Sequence, residues 1–177
     1  MREVVFQVSI KALSPLNISS GTQTKSEKTA FTVRDAQNRS MIPGTTLKGV
    51  LKQSYALISN EEHLSSGNCE CKVCKLFGKG GYSPARIYID DFKLKSPEYQ
   101  EIRSANAIDR HRKVCVEGAL FTKEVVYGEY EGFVTAYVED EKQIKELKAA
   151  LCLIKSIGGS KSRGLGNVEV AVKEVEA

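Results

Sequence analysis

Val4, Phe6, Val8, Ile10 and Ala12 take every second place near the start of the chain, with Gln7, Ser9 and Lys11 between them. That period of two predicts a strand with one apolar and one wet face. From Ser14 to Ser40 the chain becomes polar and turn-rich, interrupted by Ala30-Phe31-Thr32-Val33. Excursions of that length in compact domains are usually functional or disordered. Leu47, Val50, Leu51, Leu57 and Ile58 then recur at helical spacing and predict a helix from near Thr45 to about Ser59. Arg86 to Phe92 predicts a second strand, Ser96 to Lys113 a polar loop, and Ala119 to Val126 with Gly132 to Val138 a hairpin turning at Tyr127-Gly128-Glu129. Ile144, Leu147, Leu151 and Ile154 predict a second helix, and Val168, Val170 and Val172 a closing strand. The order βαββαβ, with large insertions, is that of the ferredoxin-like split βαβ unit, which RRM-type RNA-binding domains share. The fold class is α+β, and this superfold hosts many unrelated functions.

A length of 177 residues suits one domain, 1–177, with insertions at about 14–41, 60–84 and 95–117. The chain has 41% hydrophobic and 27% charged residues, an ordinary globular balance. No apolar run approaches the ~20 residues that span a bilayer, and the opening residues lack the pattern of a signal peptide. A cytoplasmic protein with no membrane partner is expected. The net charge of +4 permits an anionic partner without requiring one. Basic residues gather at Arg110-His111-Arg112-Lys113 and around Lys161 and Arg163; solvated loops are the alternative reading of both.

Cys69, Cys71 and Cys74 form C-x-C-x-x-C, preceded by His63. In a reducing compartment this pattern argues for metal rather than disulfides. Three thiolates and an imidazole satisfy tetrahedral Zn²⁺ and leave no open position for an activated water, so the zinc is structural. A reduced, unmetallated loop is the alternative. Cys115 and Cys152 sit in apolar patterns and read as small buried hydrophobes.

Two segments have the chemistry of a phosphate grip. The helix start at Thr45 and Thr46, with Lys48 in its first turn, would offer backbone N–H groups, hydroxyls and a charge. Ile157-Gly158-Gly159-Ser160-Lys161-Ser162-Arg163-Gly164-Leu165-Gly166 would bring backbone N–H groups and two cations close to an anion. It leads from helix to strand, the reverse of a Walker A loop. A capped helix start and a long C-cap built on Gly158 are the respective alternatives.

The glycine-rich segment resembles the signature of RAMP proteins, the repeat-associated RNA-binding superfamily of CRISPR systems. Ile42-Pro43-Gly44-Thr45-Thr46-Leu47-Lys48-Gly49 resembles that family's helix start, and Cys74-Lys75-Leu76-Phe77-Gly78 its cysteine and Leu-Phe-Gly element. Ala107-Ile108-Asp109-Arg110 followed by Gly118-Ala119-Leu120-Phe121-Thr122-Lys123-Glu124-Val125 is similar to the centre of type III backbone subunits. The resemblance implies an RRM-like palm, a zinc-containing insertion and a thumb around Asp109 to Lys113. It implies copies of the chain stacked along crRNA beside other CRISPR effector subunits, with the thumb kinking the duplex of guide and target RNA. Lys48, Lys52, Lys161, Ser162 and Arg163, then Arg110 and Arg112, become the RNA-contact candidates.

One departure bears on catalysis. Family members that cut target RNA carry an aspartate a few residues before an Arg-Asp pair, and here Thr29 stands nearest that place before Arg34-Asp35. Glu27 or Asp35 would have to act instead, so the expectation is binding with weak or absent cutting; otherwise Arg34 and Asp35 form a strand-end charge pair at the surface. The rival readings are a target-RNA-cleaving RAMP endoribonuclease and a zinc-stabilised binding module unrelated to CRISPR.

Overall fold

The computed structural model describes residues 1–19, 29–60, 69–80 and 83–175. Its palm is built on β1 (Arg2–Ala12), which runs antiparallel between β8 (Glu129–Val138) and β9 (Val168–Val175). On the far side of β8 lie two short strands, β4 (Ile87–Ile89) and β5 (Phe92–Leu94), and β5 pairs with β3 (Met41–Ile42). The order β9-β1-β8-β4/β5 places the first strand of the βαββαβ unit between its last and third. The period-two pattern of β1 has its structural cause here: Val4, Phe6, Val8 and Ile10 all face the core.

The core side of that sheet meets α1 (Gly44–Ser59) and α3 (Glu141–Cys152). In α1 the row Leu47, Leu51, Tyr55 is fully buried, while Leu57, expected on the apolar face, is 80% exposed. Tyr55 fills the core place expected of Leu57, because residues four apart lie one above another on a helix. Gly44 belongs at the helix start for a steric reason: a Cβ there would lie 2.3 Å from the carbonyl oxygen of Ile89. In α3 the side chain of Asp140 accepts a hydrogen bond from the Gln143 N–H (2.7 Å), which caps the helix, and Ile144, Leu147 and Leu151 face inward as their spacing predicts.

Four expectations are corrected. The segment 96–113 is not a polar loop, since β6 (Tyr99–Ile108) occupies most of it. β7 (Cys115–Tyr127) pairs with β6 and, in parallel, with β2 (Thr29–Ala30), forming a second sheet. It therefore does not form a hairpin with β8, although Gly128 separates the two. The strand expected over 86–92 is divided into β4 and β5. Cys115 and Cys152 are exposed, not buried: the first lies on the distal part of the β6–β7 hairpin, where no second layer among the described residues covers it, and the second ends α3.

Candidate nucleic-acid interface

The β6–β7 hairpin is the thumb. Its tip is closed by Asp109, whose carboxylate accepts from the N–H groups of His111 (2.8 Å) and Arg112 (2.9 Å) and from Arg112 Nε (3.2 Å). These bonds, the Arg112 backbone first, hold the Asp109 carboxyl below its ordinary value. Arg110 and Arg112 are left exposed at the tip.

The glycine-rich segment does not cap α3, which closes at Leu153. It folds by hydrogen bonds from Ile157 N–H to Gly166 O and from Gly159 N–H to Asn17 O, both 2.8 Å. Gly158 has φ = 89°, and a Cβ there would stand 2.6 Å from Asn17 O, so conformation and contact both require glycine. A 3-10 turn over Lys161–Arg163 then exposes Lys161, Ser162 and Arg163.

The loop and the thumb base meet. Lys123 Nζ donates to Ser160 Oγ at 2.6 Å. Arg103 and Ala105 on β6 stand opposite Lys123 and Phe121 on β7, and with Ser160, Arg163 and Leu165 they border a cleft of about 510 Å³. Of the RNA-contact candidates read from the sequence, Arg163 alone lines this cleft. Arg110 lies in the tip turn beyond Ile108, which is itself roughly 17 Å further along β6 than Arg103 at about 3.3 Å per residue. Lys48 and Lys52 lie half-buried on α1, whose main neighbours are α3, β4 and the short helix α2 (Lys72–Phe77). The start of α1 is also not an open anion site, because Gly44 N–H donates to Asp91 Oδ1 (2.8 Å) and a carboxylate already stands there. Arg103, Phe121 and Lys123 are cleft residues that the sequence reading does not single out; the alternation Arg103-Ala105-Ala107 is the available signal, and the polar composition around it masks β6.

On the other face of β7, Glu124 gathers the polar contacts behind the cleft. Its carboxylate accepts from Thr32 N–H (2.9 Å) and from Arg34, and its carbonyl accepts from Asn17 Nδ2 (2.8 Å). Arg34 also pairs with Glu98 at 3.0 Å. Burial works against the Arg34 charge, but the bonds to Glu124 and Glu98 outweigh it and raise its pKa. Arg34 and Asp35 are thus no surface pair. Asp35 instead accepts from Arg39 N–H and Gln37 N–H (2.9 Å each) and from Arg39 Nε (3.0 Å), bonds that close a turn. Led by the Arg39 backbone, they hold its carboxyl below the ordinary range. Thr29 pairs through its backbone beside Thr122 at the thumb base. Glu27 lies outside the described residues.

The thiol sulfurs of Cys69, Cys71 and Cys74 lie within 4.8 Å of one another at the start of α2 (Lys72–Phe77). Cys71 caps that helix, its sulfur accepting from Cys74 N–H (3.4 Å). Burial, then the neighbouring thiols of Cys71 and Cys69, push the Cys74 thiol up to about 11. Three sulfurs so close together can hold a metal ion, and tetrahedral zinc with ~2.3 Å bonds would draw them to roughly 3.8 Å apart. His63 lies outside the described residues.

A ferredoxin-like palm with a glycine-rich loop before its last strand and a cysteine cluster beside α1 defines a RAMP-type architecture. The chain belongs to the RAMP superfamily, whose family profile matches residues 9–169. Over 161 residues it is 31% identical to a protein named CRISPR system Cms endoribonuclease Csm3 from Methanocaldococcus jannaschii, a match covering 77% of this chain and 65% of that protein. The chain thus spans just under two thirds of the length of this relative. No helix among the described residues is long and apolar enough to cross a membrane.

Proposed function

We propose that this chain is an RNA-binding backbone subunit of a cytoplasmic type III CRISPR ribonucleoprotein. It holds crRNA and its duplex with target RNA, next to other effector subunits and further copies of itself. The observation that carries this reading is the Lys123–Ser160 bond, which joins glycine loop and thumb base around one cleft lined by Arg103, Lys123 and Arg163. Fixed cations on rigid backbone suit a polyanion whose sequence varies. The cysteines support a structural zinc, with His63 as its fourth ligand; the metal ties the insertion to the palm.

The relative carries the name of an endoribonuclease, and the same chemistry here would need an acid or base near the thumb base. Both carboxylate oxygens of Asp35 are engaged by Gln37 and Arg39 within its own turn, which suits it poorly to giving or taking a proton at the RNA. The chain therefore binds target RNA and cuts it slowly. Titration of the protein with unrelated single-stranded RNAs at several salt concentrations tests the binding. Replacing Lys161 and Arg163 by alanine should weaken all sequences alike and flatten the salt dependence. An effect restricted to one sequence, or none, would remove the assignment.

A further inference from the structure

We infer that Lys79 is a positioning residue of the cysteine cluster: its ammonium group fixes the backbone of Cys69 and offsets the negative charge that three thiolates bring to a bound zinc ion. The inference rests on the zinc reading above and adds a residue outside the ligand set. Lys79 Nζ donates to the Cys69 carbonyl at 3.0 Å, so the residue that follows Leu76-Phe77-Gly78 is tied back to the first cysteine. A fixed turn brings it there. Gly78 closes α2 with φ = 80°, its N–H donates to Cys74 O at 3.0 Å, and a Cβ on it would stand 2.9 Å from Ala85 N. The chain then enters a short antiparallel bridge, in which Lys79 N–H donates to Ser83 O at 3.2 Å. Lys79 is thus held at both its backbone and its ammonium end.

Placement and charge lead to the same role. Cys71 caps α2 and Cys74 lies within it, so the helix itself sets their backbones. Cys69 stands two residues before the cap, and Lys79 ties it to the chain beyond the far end of the helix. Groups that orient a metal ligand from behind are worth roughly 10–100-fold in metal affinity. Lys11, Lys95 and Lys142 each pair with a glutamate. Lys79 has no carboxylate partner among the described residues, and its charge is not cancelled by an ion pair. Zn²⁺ with three thiolates and a neutral imidazole carries one net negative charge, here in a site where Cys69 and Cys74 are buried. A cation without a counter-ion, held on the carbonyl of the first of those cysteines, meets that charge.

The test measures zinc affinity of the full chain by competition with a chromophoric chelator, with the absorption spectrum of the Co²⁺-substituted protein as a second readout of the ligand geometry. Lys79→Met removes both donor and charge and should bind zinc about 10–100-fold more weakly, with an altered Co²⁺ spectrum. Lys79→Arg keeps both and should retain the wild-type spectrum and most of the affinity. Lys79→Gln, which keeps a donor without the charge, should fall between them. Thermal melts separate this role from a merely structural one: the rise in Tm on adding zinc should shrink in Lys79→Met, whereas a purely structural loss would lower the melts with and without zinc alike. Wild-type zinc affinity in Lys79→Met, or a loss that Lys79→Arg does not restore, would overturn the role of Lys79 while leaving the zinc reading intact. A wild-type protein that binds no zinc would instead defeat the zinc reading, and the role of Lys79 with it.

Discussion

Arg34 passes over its chain neighbour Asp35 to pair with Glu124, 90 positions away and 3% exposed. The pair joins the segment that carries Thr32 to the base of the thumb, and Asn17 extends the linkage to the glycine loop. The thumb base and the glycine loop, which border the proposed RNA site, are therefore tied to the segment behind it.

Removing Glu124 leaves Arg34 paired with Glu98 but takes the acceptor from the buried Thr32 N–H. Glu124→Ala should therefore destabilise the protein by about 1–3 kcal/mol. Urea unfolding would check it, and Arg34→Met should cost stability as well, because Glu98 and Glu124 are then both left without their cation.

Two glycines of α1 should respond in opposite directions. Gly44→Ala drives a Cβ onto backbone at 2.3 Å and should cost about 1–3 kcal/mol. Gly49→Ala meets nothing within 4 Å and should stabilise the helix by up to ~1 kcal/mol. Thermal melts of the two variants measure both.

The cysteine cluster should contain one zinc by elemental analysis, lost in Cys74→Ser. In metal-free protein the folded-state Cys74 thiol, raised to about 11 from an ordinary 9.0, favours the neutral form. Its contribution to stability is then complete below pH 9.0 and disappears as pH rises through about 11. With zinc bound the thiolate is the ligand, and acid rather than base should release the metal. Melts with and without chelator across pH distinguish the two behaviours.

By the family resemblance Thr29 stands nearest the position of the missing acid, and its backbone pairs beside Thr122. Thr29→Asp should raise target-RNA cleavage, toward the ~10²–10⁴-fold that a positioned acid or base supplies. Asp35→Ala should leave the slow wild-type rate unchanged. Quantified cleavage of labelled target RNA in the assembled complex decides between these outcomes.

Local patterns determined the palm. The alternation of β1, the helical rows of α1 and α3, and the short spacing of Cys69, Cys71 and Cys74 all concern neighbours on one element, and a side chain's period reports which face its element buries. The thumb escaped that reading because it buries little: β6 is exposed along nearly all its length and is held by a backbone ladder to β7, which leaves no mark in side-chain pattern. The same absence of a covering layer leaves Cys115 exposed. Tyr127-Gly128-Glu129 has the composition of a hairpin turn, yet the strands on either side join different sheets, because register is decided by the partners that compete for each edge. Only tertiary structure brought Lys123 to Ser160, Arg34 to Glu124 and Asp91 to the start of α1. Each contact joins residues far apart in the chain, and their approach is set by how the sheets pack rather than by any spacing along the sequence.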